Sequence, residues 1–91
     1  MSAPPLLQSK IHTTLGVSQL SFVLKLLLDS GIIINKNYSE LLKVITQNFK
    51  TDRMDNISED SLRNKYYNIE KATADKMKDV VIGLLNEVRK Y

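Results

Sequence analysis

The chain has no cysteine, no tryptophan, one histidine, three glycines and two prolines among its 91 residues. Without cysteine there is no disulfide framework, no thiolate zinc site and no cysteine nucleophile. A single histidine rules out a multi-histidine metal centre within one chain. Little glycine and proline, beside 43% hydrophobic and 25% charged residues, argues against collagen-like, low-complexity or disordered chains. Long apolar runs are missing too. Phe22 to Leu28 is interrupted by Lys25 and closed by Asp29, far short of the ~20 apolar residues that a bilayer span needs. The opening Met1-Ser2-Ala3-Pro4-Pro5-Leu6-Leu7 has no positive cluster before an apolar stretch, which makes it a poor secretory signal, and a cytoplasmic protein is expected. Thirteen basic against ten acidic residues leave +3, a mild excess that suits a polyanion without requiring one.

What is present reads as one small helical domain. Residues 1–9 are expected to form a loose tail, since Pro4-Pro5 removes two backbone donors, and residues 10–91 the domain. Four helical segments follow. The first runs from about Ser18, a fair N-cap, to Ser30, with Gly31 placed to end it in a left-handed conformation. It is apolar on nearly every side, the pattern of a central helix covered by others. A second spans about Tyr38 to Phe49, where Asn37 and Glu40 approximate a capping box and Tyr38, Leu41, Leu42, Ile45 and Phe49 form one stripe.

The third, about Glu59 to Tyr67, has Ser58 as N-cap and acids in its first turn. Ile57 and Leu62 have the spacing of a hydrophobic staple. Leu62, Tyr66 and Ile69 then face inward, and Asp60, Arg63, Asn64 and Tyr67 outward. The fourth, about Glu70 to Lys90, carries Ala74, Met77, Val81, Leu84, Val88 and Tyr91 at alternating steps of three and four, compatible with a coiled coil or with packing on the domain itself. The β-branched Ile32-Ile33-Ile34 is expected to pair with Lys10 to Thr14 as a minimal two-stranded ribbon.

Little in this pattern points to catalysis. His12 has no second histidine, Ser-His-Asp spacing or glycine-rich loop around it, and reads as an exposed residue near a strand. The pair Asp52 and Asp55 lacks the glycine and terminal glutamate of a calcium loop, and Glu59-Asp60 is explained by capping. No catalytic residue, metal site or cofactor is expected, and the chain is read as a non-enzyme. The basic residues are more informative. Lys50, Arg53, Arg63, Lys65 and Lys71, interleaved with Asn64, Tyr66 and Tyr67, supply donors for phosphates, an amide for a base edge and aromatic surface. Five acids share the segment from 50 to 71, so it is neutral, a weak electrostatic footprint for DNA. The second and third helices could pair as a helix-turn-helix variant, although Lys50 to Ser58 exceeds the three or four residues of the tight motif.

The strings Gly16-Val17-Ser18-Gln19-Leu20, Asn48-Phe49-Lys50-Thr51 and Ile57-Ser58-Glu59-Asp60-Ser61-Leu62-Arg63-Asn64-Lys65-Tyr66-Tyr67 carry a family likeness. Over roughly residues 10 to 91 the chain resembles the C-terminal region of RteC-type proteins, regulators of conjugative-transposon excision in Bacteroides-like bacteria. The resemblance implies a mainly α, four-helix winged-helix or helix-turn-helix-like domain that binds double-stranded DNA. It would present Ser61, Arg63, Asn64, Lys65 and Tyr67 to DNA, with Arg63 and Asn64 reading bases and Lys50, Arg53 and Lys65 on phosphates. The leading expectation is therefore a DNA-binding, transcription-regulator-like domain of mobile elements. The alternative is a protein-interaction or homodimerisation module using the apolar stripe of helix 70–90, with no membrane partner in either case.

Overall fold

The computed structural model describes residues 9–91; the expected N-terminal tail lies outside the described residues, save Ser9. The chain order is β1 (Ile11–Thr13), α1 (Val17–Asp29), α2 (Tyr38–Asn48), β2 (Phe49–Thr51), α3 (Glu59–Tyr67) and α4 (Lys71–Val88). The described residues are thus mainly helical, with one small two-stranded sheet among them.

The starts of α1, α2 and α3 and the end of α1 have local causes. α1 begins two residues earlier than Ser18 as N-cap would place it. Gly16 is its N-cap, and the Gly16 N–H donates to Gln19 Oε1 at 2.9 Å. Ser18 sits inside the first turn, where its carbonyl accepts from the buried Ser21 hydroxyl at 2.7 Å. At the other end Gly31 takes φ 79°. Its N–H bonds the Leu28 carbonyl while the Ile32 N–H bonds that of Leu27, the paired closure that a left-handed glycine permits. Asn37 caps α2 by accepting from the Glu40 N–H at 3.1 Å and returning its amide to the Glu40 carboxylate. Ser58 caps α3 by accepting from the Ser61 N–H.

The sheet corrects one expectation. Ile32 to Ile34 form no strand; Ile32 and Ile34 are exposed. The amides of Ile32 and Ile33 both donate to the Leu27 carbonyl, so closing α1 consumes the donors that a ladder would need. The partner of β1 is instead β2, parallel to it, with Ile11 opposite Phe49, His12 opposite Lys50 and Thr13 opposite Thr51. Phe49, placed by its apolar spacing at the end of the second helix, leaves the helix and opens the strand. The segment carrying α1 and α2 thus serves as the crossover that parallel strands require.

The core joins Leu20 and Leu24 of α1, Leu42 of α2, and Ile57, Leu62 and Tyr66 at α3, with Leu15, Val17, Leu28, Ile33, Ile45 and Phe49 packed around them. α3 packs on both α1 and α2, while α1 also carries α4, in keeping with its nearly all-round apolar surface. Only the first half of α4 is docked, through the buried Thr73 and Met77. From Val81 onward every side chain of the chain is exposed. The 3-4 stripe therefore splits: its beginning is core and its end is surface.

Candidate nucleic-acid interface

α3 is amphipathic because Leu62 and Tyr66, four residues apart, share one face. Both are buried, and Leu62 is completely enclosed. Asp60, Asn64 and Tyr67 consequently point to solvent. Ser61, Arg63 and Lys65 flank the buried edge and are half-covered.

Two of the outward side chains are held in place. The Asn64 side-chain oxygen accepts from the Asn68 amide at 2.7 Å, leaving the Asn64 amide group facing outward without an intramolecular acceptor among the described residues. The Tyr67 ring stands edge-on to buried Tyr66, centroids 5.0 Å apart at 90°, a preferred aromatic geometry. Tyr66 also approaches Tyr38 at 6.3 Å and lies under Lys25 Nζ, 5.1 Å from its ring centre. Burial raises the Tyr66 phenol above the ordinary tyrosine value, with smaller contributions in the same direction from Tyr38, Asp29 and Tyr67.

Arg63 is less available than the other residues of this face. Its guanidinium lies 3.4 Å from Asp60 and 3.9 Å from Glu59. Lys65 reaches Glu70 at 4.0 Å. Such partly exposed pairs contribute roughly 0.2–1 kcal/mol each, so exchanging either carboxylate for another acceptor costs little.

The fold separates the remaining basic candidates. Lys50 lies in β2 opposite His12. Arg53 is in the turn that follows, which Thr51 organises by accepting from the Arg53 and Met54 amides at 3.2 and 3.0 Å. That turn borders a groove of about 660 Å³ whose other walls are residues 14–19, Glu70, Ala72, Thr73 and Lys76. No α3 residue lines it. Arg53 is therefore grouped with Lys76, not with Arg63 and Asn64. Neither Arg53 nor Lys76 forms an ion pair among the described residues.

The first turns of α1 and α4 both open on this groove, and neither N-cap side chain covers them. Uncovered helix starts add partial positive charge. The two carboxylates at the rim are engaged elsewhere: Asp52 with His12 at 2.6 Å and Glu70 with Lys65. Lys76 was not legible as a site residue, because it is distant from Arg53 in sequence and only the docking of α4 brings the two to one groove.

Among the described residues no three histidine, cysteine, aspartate or glutamate side chains are grouped to hold a metal ion, and no helix is long and apolar enough to cross a membrane. Comparison of the chain with protein-family models, curated proteins and solved structures finds no match in any of the three.

Proposed function

We propose that the protein is a DNA-binding domain of the helix-turn-helix kind, with winged-helix-like character, and that it acts by docking rather than by covalent chemistry. The observation that carries this reading is the outer face of α3. There Asn64 offers an amide and Tyr67 an aromatic edge, both oriented by bonds or stacking to neighbours, while Leu62 and Tyr66 anchor the helix from beneath. An asparagine amide on an exposed helix suits the adenine edge in the major groove. Lys50, Arg53, Lys65 and Lys76 are the residues that would meet phosphates, which fix register without reading sequence. Arg63 joins the base-reading face by exchanging Asp60 and Glu59 for a nucleic-acid acceptor. The likeness to the C-terminal region of RteC-type proteins points the same way and supplies the proposed setting, regulation of a mobile element.

The test is anisotropy of a labelled mixed-sequence duplex titrated with the protein at two salt concentrations. Four phosphate contacts predict that affinity falls roughly a hundredfold between ~50 and ~200 mM salt, and that Arg53→Ala flattens the salt slope by about one contact. Asn64→Ala should lower discrimination among sequences more than it lowers the slope. Absence of binding to any duplex at the lower salt would refute the reading.

A further inference from the structure

α4 carries a second surface that the DNA reading does not use. The face that buries Met77 in the domain continues past the domain edge as Val81, Leu84, Leu85, Val88 and Tyr91. These side chains are 47, 61, 45, 67 and 108% exposed, against 2% for Met77. The helical part of the overhang, Val81–Val88, is eight residues or ~12 Å long, and Arg89–Tyr91 follow the helix end. Asp79, Gly83, Asn86 and Lys90 lie on its opposite side, at helical spacing.

We propose that this overhang is a self-association surface, and that its occupant is the same segment of a second copy of this chain. Two observations favour a second copy over another partner. The steps Val81, Leu84, Val88, Tyr91 are the alternation with which two helices interlock their side chains, and a single stripe repeated by a two-fold axis is complementary to itself. Residues 80 to 85 contain no charge, so two copies meet there without like-charge conflict.

Area sets the strength. Covering these five side chains removes on the order of 500 Å² per copy and ~1,000 Å² for the pair, at the lower edge of specific interfaces. The dimer is consequently a weak one, dissociating in the micromolar range. The pairing is independent of nucleic acid, and would place two α3 helices in one particle.

Sedimentation velocity of the full chain over a hundredfold concentration range tests it. The expected mass rises from the 10.4 kDa of one chain to twice that value across the range. Leu84→Glu should hold the mass at one chain throughout, with an unchanged circular dichroism spectrum. Should that variant lose its helical spectrum, Val88→Ser provides the same test with a smaller change, and an at least tenfold weaker association is expected. A wild-type chain that stays monomeric at the highest concentration overturns the proposal and leaves the stripe for a different protein. A dimer of undiminished strength in both variants overturns it as well, by placing the contact elsewhere. DNA binding by a monomer at low salt would leave the nucleic-acid reading standing while this one failed.

Discussion

Leu62 is the side chain on which the arrangement of α3 most depends, and its truncation gives a quantitative test. It has no exposed surface and belongs to the cluster joining α1, α2 and α3. Leu62→Ala removes three buried carbons at ~0.8 kcal/mol each, and an unfilled cavity adds ~1 kcal/mol or more, for a loss of about 3.5 kcal/mol. A chain of this length is stable by only ~5–14 kcal/mol, so the variant loses a quarter to most of its stability. Its Tm should fall by roughly 15–25 °C. Leu26, on the opposite side of α1 and 38% exposed, is the control with the same chemistry. There water fills the gap, and Leu26→Ala should cost only ~1.5 kcal/mol. Urea titration followed by circular dichroism separates the two, because a difference of ~2 kcal/mol moves the midpoint by about 1–2 M at an unchanged slope. Equal midpoints for the two variants would refute the core described here, and with it the outward orientation of Asn64 and Tyr67.

Two other outcomes follow from single positions. The buried Tyr66 phenol is raised above the tyrosine value of about 10, so the stability tied to its neutral form is complete below that value and is lost as pH rises through the higher native value. Tyr66→Phe should flatten the alkaline limb of a stability-versus-pH curve measured by urea midpoints, and an unchanged limb would show that Tyr66 does not cause it. The two glycines of α1's end and α4's interior should respond to alanine with opposite signs. Gly31→Ala forces a side chain into φ 79° and should cost ~1–2 kcal/mol, whereas at Gly83 an added Cβ meets open space and should stabilise by up to ~1 kcal/mol. Midpoints that shift in the same direction would contradict one of the two backbone conformations.

The bounds of α3, its Ser58 cap, the Asn37 cap and the role of Gly31 were all legible, because each depends on neighbours within four residues. The orientation of Leu62 and Tyr66 was legible for the same reason, since helical spacing alone puts them on one face. The partner of β1 was not. Ile32 to Ile34 have the composition of a strand, yet the amides of Ile32 and Ile33 are spent on closing α1, and Phe49 has the apolar spacing of one more helix residue. Pairing over a distance leaves no mark in either segment. The stripe of α4 shows a related limit. Spacing shows that Met77, Val81, Leu84 and Val88 share a face, but whether that face is covered depends on how far the neighbouring α1 extends. The site divided along the same line: Asn64 and Tyr67 follow from periodicity, whereas the grouping of Arg53 with Lys76 exists only in the folded chain.

The tie between β1 and the turn after β2 has a kinetic consequence. His12 and Asp52 are 40 positions apart and Lys10 and Asn56 are 46, so these bonds and the three-residue ladder close a long loop, while α1 and α2 form from near neighbours. Such closures come late. The Arg53 turn is attached to that ladder, so on refolding the Arg53–Lys76 groove takes shape after the helices have assembled, and a chain clipped before Thr14, which removes β1 and His12, would keep its helices while losing the brace on one wall of the groove.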